Sequence, residues 1–152
     1  MPSVDGLGDD AIRHILTNVR KIAVVGASPN PARPSNAVLG VLVDRGFETF
    51  PVNPGHAGAL IRGRPVSARM ADVPAPIDMV DVFRNSAAAG HVVDEALRLE
   101  PLPCVIWMQL GVINEEAARR ARAKGVTVVM NRCPAIELRR LFPPDFMSST
   151  GR

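Results

Sequence analysis

Short apolar segments recur along the chain and alternate with longer segments in which apolar residues stand at helical spacing. Five of the short segments are near-continuous hydrophobic runs bounded by polar or turn-forming residues, a pattern typical of parallel strands buried on both faces. The predicted strands are residues 21–26, 47–52, 79–83, 104–108 and 126–130.

The longer segments predict helices, because their apolar residues recur every three to four positions. Ser86 and Asn114 are the candidate caps of two of them. Residues 55–78 are irregular, with a short extended piece expected near residues 65–66. The predicted helices are residues 9–19, 35–45, 87–99, 114–124 and 134–141.

This order of elements predicts an α/β protein: a single doubly wound domain with a five-stranded parallel sheet and helices on both faces. No internal repeat or linker interrupts the pattern. We therefore expect one domain over residues 1–152, with a core of about residues 10–142 and a flexible tail over 143–152. In such folds, ligands bind at the carboxyl ends of the strands, so the residues that follow each strand are the first candidates for a site.

Composition excludes several classes of protein. The 152 residues include 18 Lys+Arg and 15 Asp+Glu, and the basic residues other than Lys21 and Lys124 are arginines, which suit phosphate groups. Tyr is absent and no basic run is interleaved with aromatic residues, so we expect no nucleic-acid interface. No apolar run is long enough to span a membrane and residues 1–10 lack an apolar signal segment. We expect a cytoplasmic protein that does not enter a membrane, with Cys104 and Cys133 as free thiols.

The loop after the first predicted strand has the composition of an anion site. Gly26 permits a tight turn, Ser28 offers a hydroxyl group, and Arg33 stands just before a helix N-terminus. The loop lacks the three glycines of the dinucleotide fingerprint and the lysine of the phosphate-binding loop. An ordinary strand-to-helix connection is the alternative interpretation.

The ends of the second and third predicted strands add polar candidates. Asn53 and Pro54 follow the second strand, at the place where an NAD site usually has an acidic residue. Glu48 is at the opposite end of that strand, which speaks against NAD. Arg84 follows the third strand and faces either the crevice or solvent.

The ends of the last two strands offer an indole and a thiol. Trp107, the one Trp of the chain, is either a ligand contact or a core residue, and Gln109 follows it. Cys133 precedes Pro134 at a predicted helix N-terminus, where a thiol can become reactive, or it is a small buried residue. The histidines have no carboxylate at a readable spacing, and we identify neither a catalytic set nor a metal cluster.

Taken together, the segments VVGASPNPARPSNAV, FPVNP, IDMVDVFR and VIWMQLGVINEEAARRARAKGVTVVMNRC resemble the family of small CoA-binding proteins. Their domain is similar to the N-terminal, CoA-binding domain of the succinyl-CoA synthetase α subunit. The resemblance covers roughly residues 10–142 and implies a Rossmann-like fold that binds coenzyme A without the dinucleotide fingerprint.

The resemblance also implies three groups of contact residues. The diphosphate would lie against the loop after the first strand: Gly26, Ala27, Ser28 and Arg33. The adenosine would lie against the ends of the second and third strands: Val52, Asn53, Pro54, Val82, Phe83 and Arg84. The pantetheine arm would pass the ends of the last two strands: Trp107, Gln109, Gly111, Asn131 and Cys133.

Two positions depart from the family pattern. His56 stands where the synthetase domain typically has a lysine, with Arg62 or Arg64 as candidate replacements, and Asn36 stands where small members often have Tyr. The phosphohistidine and ligase domain of the synthetase have no counterpart in these residues, so we do not expect succinyl-CoA synthesis.

Several functions stay open at this point. The first is a non-catalytic protein that binds CoA or acyl-CoA as a sensor, carrier or partner subunit. The others are an enzyme or redox protein that uses Cys133 on a CoA thioester or disulfide, a binding module for NAD or FAD, and a structural partner with a vestigial pocket. The residues also leave open a homo-oligomer or another protein as partner.

Overall fold

The computed structural model describes residues 4–143, so the predicted tail beyond residue 143 lies outside the described residues. The strands within this range are β1 (Lys21–Val25), β2 (Glu48–Val52), β3 (Leu60–Ile61), β4 (Arg64–Pro65), β5 (Met79–Val82), β6 (Val105–Met108) and β7 (Thr127–Val129). The α-helices are α1 (Asp9–Asn18), α2 (Pro34–Asp44), α3 (Ser86–Ala96), α4 (Glu115–Ala123) and α5 (Pro134–Leu141). Two 3-10 turns cover Pro54–His56 and Met70–Asp72.

The predicted fold class is confirmed. Five parallel strands form one sheet in the order β2-β1-β5-β6-β7, and β3 pairs with β4 in a separate antiparallel hairpin. Helices α1, α2 and α5 cover one side of the sheet, the α2 face, while α3 and α4 cover the other side, the α3 face. Side chains alternate between the faces along each strand, so both sides of the central strands bury apolar residues.

The direction of the connections reverses between β1 and β5. From β1 the chain passes through α2 to β2 at one edge, whereas β5, β6 and β7 build the sheet toward the other edge. A reversal of this kind opens a crevice at the carboxyl ends of the two strands. Gly26 follows β1 with a φ of 90°, and a Cβ there would lie 2.3 Å from the Phe83 carbonyl oxygen after β5. The close approach of these two strand ends therefore requires glycine.

Two local details differ from the predictions. The cap of α3 is Asn85, not Ser86: its side chain accepts the N–H of Ala88 at 2.8 Å. The Ser86 hydroxyl instead bridges two backbone groups of the loop after β6, at 3.0 and 3.3 Å. The region expected to hold one extended piece contains the β3–β4 hairpin, whose two-residue strands are too short to leave a periodic signal. Asn114 caps α4 as predicted.

Ion pairs attach the segment before α1 to the start of α5. The guanidinium of Arg132 lies 2.9 Å from the Asp5 carboxylate and 3.2 Å from that of Glu137, and the Asp5 side chain has no exposed surface. The hydrogen bonds that the guanidinium donates to the Asp5 carboxylate raise the pKa of Arg132. Arg140 joins Glu137 to Asp9 at the first turn of α1, at 2.8 Å from each. The first described residues are thus fixed to the loop after β7.

Within residues 4–143, no helix is both long and apolar enough to cross a membrane. In the same range Cys104 is exposed and Cys133 is buried, and both are free thiols.

Candidate functional site

A cavity of about 540 Å³ lies at the carboxyl ends of β1, β2 and β5. Seven of the residues predicted for the site line it: Gly26, Ser28, Arg33, Asn53, Pro54, Phe83 and Arg84. Three further lining residues were not among those predictions: Pro34, Ser35 and His56. The cavity is polar, because hydroxyl, amide and guanidinium groups line it. The lining within the described residues includes no carboxylate, so its charged groups are basic.

Hydrogen bonds fix the loop that forms one wall of this cavity. The N–H of Ser28 donates to the Ser35 hydroxyl at 3.1 Å, and the Ser28 hydroxyl accepts the N–H of Asn30 at 3.1 Å. The amide of Asn36 donates to the Ser28 carbonyl oxygen at 3.0 Å. Helix α2 begins directly behind the loop, and its N-cap, Arg33, makes no side-chain capping bond. The positive end of the α2 dipole therefore faces the cavity without a side chain that neutralises it.

Asn53 joins the loop after β2 to the loop after β1. Its amide donates to the Ala27 carbonyl oxygen at 2.9 Å, and its Oδ1 accepts the N–H of Gly55 at 3.0 Å. The 3-10 turn that follows places His56 at the cavity. The sequence analysis considered Asn53 because it stands where an NAD site usually has an acidic residue. The contact of its amide with the loop after β1 is visible only in the structure.

The candidate replacements for His56 do not line the cavity. Arg62 lies along α2, where its Nε donates to the Asn36 Oδ1 at 2.9 Å and its guanidinium fills the space beside Gly40. Arg64 is in β4 and is outside the lining as well. The basic side chains at the first cavity are thus Arg33, Arg84 and His56.

A second cavity of about 530 Å³ adjoins the first, and the two share Pro54 and Arg84. Much of its lining is apolar and comes from the ends of β1 and β2, from the segment around the Met70–Asp72 turn, and from α3 and the residues after it: Val25, Val52, Ala68, Ala71, Ala88, Val92 and Leu99. Besides the shared Arg84, its charged or titratable residues are Arg69, His91, Glu95 and Arg98. Glu95 accepts the N–H of Met70 at 3.0 Å and so holds the Met70–Asp72 turn against α3. A polar, basic compartment thus opens into a largely apolar one.

The structure places Trp107 in the core. Its side chain has no exposed surface, and its Nε1 donates to the Arg132 carbonyl oxygen at 2.8 Å. Of the two interpretations of Trp107, the core residue is the one that this placement favours. Direct contact between its indole and a ligand arm would need the surrounding core to open.

The remaining predicted residues at β6 and β7 have structural contacts. The Asn131 Oδ1 accepts the N–H of Gly111 at 2.7 Å, and both residues have positive φ values, 59° and 81°. Cys133 is 7% exposed and packs in the core of the α2 face, and it stands at the N-cap of α5. Ala27 and Val82 are fully buried, and neither lines the two cavities.

Asp81 is a buried carboxyl group that the sequence analysis did not single out. It lies within β5 between Val24 and Trp107 and has no exposed surface. Among residues 4–143, neither of its side-chain oxygens has a hydrogen-bond partner. Burial raises its pKa well above the usual range. The signal was present as a charged residue inside the apolar run MVDVF, but the run was interpreted only as a strand.

The fold and these cavities define a doubly wound α/β domain with a two-compartment crevice at its switch point. The chain belongs to the family of CoA binding domains, whose model matches residues 20–139.

The chain is similar to proteins of bacteria and archaea. It is 39% identical over 122 residues to the uncharacterized protein YneT of Bacillus subtilis (strain 168), across 80% of this chain and 87% of YneT. A hypothetical protein from Pyrococcus horikoshii OT3 has 37% identity and a TM-score of 0.87, covering 93% of this chain and 97% of its own.

A larger protein contains a similar domain. The dinucleotide forming acetyl-coenzyme A synthetase 1 of Ca. Korarchaeum cryptofilum matches with 27% identity and a TM-score of 0.62. The match covers 80% of this chain and 27% of the synthetase chain, so the two proteins share a domain and not a whole architecture.

Proposed function

We propose that this protein binds coenzyme A in the two joined cavities and is non-catalytic by itself, acting as a sensor, carrier or partner subunit. The observation that carries the proposal is the pairing of a basic compartment at a helix N-terminus with an adjoining apolar compartment, in a chain that belongs to the CoA binding domain family. Coenzyme A has this division itself, with a charged diphosphate beside a flat apolar base.

The diphosphate would occupy the first cavity. The α2 N-terminus and the guanidinium groups of Arg33 and Arg84 offer the charge-assisted hydrogen bonds that phosphate oxygens accept. The absence of a carboxylate from the lining within the described residues favours a phosphate there over a ribose diol, which an NAD site usually binds with an acidic residue.

The adenine would occupy the second cavity, against the side chains of Val52, Val92 and Pro54. Arg84 lies at the boundary of the two cavities, so one guanidinium can reach phosphate on one side and the nucleoside on the other. The pantetheine arm would leave across the ends of β5 and β6, past Gln109 toward Gly111 and Asn131.

The non-catalytic part of the proposal rests on what faces the first cavity. Its charged or titratable lining residues are two arginines and His56, and within the described residues none of them is paired with a carboxylate there. The alternative that uses Cys133 gains no support from its placement, since the side chain lies in the core.

Calorimetric titration of the ligand-free protein with CoA, dephospho-CoA, NAD and FAD tests the proposal. We expect CoA to bind, dephospho-CoA to bind more weakly, and NAD and FAD not to compete. Changing Arg84 to Gln removes charge-assisted hydrogen bonds and should weaken CoA binding about tenfold or more.

The matched control is Arg119→Gln, which removes a guanidinium from the exposed side of α4, outside both cavities. It should leave the CoA dissociation constant within about twofold. A protein that gives neither heat nor a thermal shift with CoA would show that the family fold is present here without its ligand.

A further inference from the structure

The β3–β4 hairpin turns at Arg62 and Gly63, whose φ values are 51° and 80°. A two-residue turn with positive φ values at both positions favours Asn, Asp or Gly first, because other side chains are strained there. Such strain persists only where the surrounding contacts compensate for it. The contacts of the Arg62 side chain therefore indicate why an arginine stands at this position.

The Arg62 side chain reaches from the hairpin to helix α2. Its Nε donates to the Asn36 Oδ1 at 2.9 Å, and a Cβ at Gly40 would lie 2.9 Å from its Cζ. Glycine in the interior of a helix lowers the stability of that helix, yet Gly40 leaves room for the guanidinium. Two locally unfavourable residues, Arg62 at a positive φ and Gly40 inside α2, thus meet in one contact.

Asn36 connects this contact to the loop of the first cavity. It is 5% exposed, and its Nδ2 donates to the Ser28 carbonyl oxygen at 3.0 Å. A buried amide needs a donor at Oδ1 and an acceptor at Nδ2, so Arg62 and Ser28 together hold this one in a single orientation. Removing the Arg62 donor would leave a buried oxygen without that bond and favour rotation of the amide away from Ser28.

Ser28 is held on its other side by Ser35, and both residues line the first cavity. The N–H of Ser28 donates to the Ser35 hydroxyl at 3.1 Å, and that hydroxyl keeps its own proton to donate to an anion. Hydrogen bonds to phosphate weaken when the direction of the donor changes. The position of the Ser28 peptide therefore decides how well this wall of the cavity binds a phosphate group.

We propose that Arg62 is a positioning residue for this wall, although it lies outside the lining of both cavities. Through Asn36 it fixes the Ser28 peptide and, with it, the direction of the Ser35 hydroxyl. The group of Arg62 that acts is the N–H at Nε, not the positive charge. The inference rests on the proposed function for the identity of the ligand, and it makes the β3–β4 hairpin a support of the site.

The first experiment compares Arg62→Gln with Arg62→Met by calorimetric titration with CoA. The glutamine side chain carries an N–H as many bonds from Cα as the arginine Nε, whereas the methionine side chain has the same reach and no donor. We expect Arg62→Gln to keep the CoA dissociation constant within about twofold and Arg62→Met to raise it about threefold to tenfold. Arg64→Gln changes the other arginine of the hairpin, outside both linings, and should stay within about twofold.

Gly40→Ala separates positioning from general destabilisation. Its Cβ would displace the guanidinium from Asn36 and should raise the CoA dissociation constant about as much as Arg62→Met does. The urea midpoint of the variant should be unchanged or higher, because Ala favours a helix interior over Gly. A contact that serves stability alone would leave the affinity for CoA unchanged.

Hydrogen exchange of the Ser28 N–H gives a readout without ligand. In the ligand-free protein this exchange should be faster in Arg62→Met than in the wild type and Arg62→Gln. Wild-type affinity in Arg62→Met would overturn the inference. Equal losses in the two Arg62 variants would also overturn it, since the charge would then be what acts. If the wild type itself does not bind CoA, the proposed function fails, and the exchange of the Ser28 N–H still decides whether Arg62 holds the loop.

Discussion

Asp81 makes stability depend on pH in a direction opposite to that of most carboxyl groups. Its pKa in the folded protein is raised by burial, so above the pKa of the unfolded chain, about 3.9, the folded state holds a proton that the unfolded state has released. The unfolded state then binds fewer protons than the folded state. The contribution of Asp81 to stability is therefore fully present below about pH 4 and is lost as the pH rises toward the folded pKa.

The magnitude follows from linkage. Between the two pKa values, one such group lowers the free energy of unfolding by about 1.4 kcal/mol for each pH unit. Asp81→Asn has nearly the same shape and no charge to bury, so it removes this slope. The difference in stability between the variant and the wild type should increase in favour of the variant from about pH 4.5 toward neutrality, at up to that rate.

Urea denaturation at four pH values between about 4.5 and 7.5 measures this difference, from midpoints and m-values of both proteins. The control is Asp44→Asn, which removes a carboxyl group from an exposed position at the end of α2 and should change stability by less than about 0.5 kcal/mol. A difference between Asp81→Asn and the wild type that stays constant with pH would refute the reasoning, since it would mean that Asp81 is hydrated or paired in the folded protein.

Two further predictions concern the frame around the site. Gly26→Ala should destabilise the protein by about 3 kcal/mol or more and abolish ligand binding, because its Cβ would lie 2.3 Å from the Phe83 carbonyl oxygen. Gly46→Ala, at a similar positive φ of 91° with nothing within 4 Å, should cost only about 1 kcal/mol; equal thermal shifts for the two variants would contradict the close approach at residue 26. Arg132→Met should cost about 3 kcal/mol in urea denaturation, because it leaves Asp5 without its guanidinium partner, and a loss below about 1 kcal/mol would show that this pair is solvated.

The sequence predicted the fold because its signals are local and repeated. Each central strand is an apolar run on both faces, and glycines or prolines separate the runs from amphipathic helices, so the periodicity alone orders the elements. The β3–β4 hairpin was not predicted because its strands have two residues each, and pairing between them is decided by contacts that the linear pattern does not contain. Asn85 and Ser86 are both good caps, and only the loop after β6 decides which one is used.

The lining of the first cavity could be predicted in part for a related reason. Residues that directly follow β1, β2 and β5 meet at one edge by the rule for parallel sheets, and seven of them line the first cavity. Trp107 lies within β6 and Cys133 follows β7, and both side chains are buried in the core. The second cavity is lined largely by α3 and by the segment before β5, which no strand-end rule indicates. The sequence did not point to Asp81, because one charged residue in a strand does not reveal whether its side chain has a hydrogen-bond partner.

The bond between Asp5 and Arg132 also bears on how the chain folds. It joins positions 127 residues apart, which is nearly the full length that the structure describes. Closing so long a loop has a large entropic cost, and Arg132 is synthesised long after Asp5. Asp5 can therefore reach this partner only after nearly all of the described chain has been synthesised.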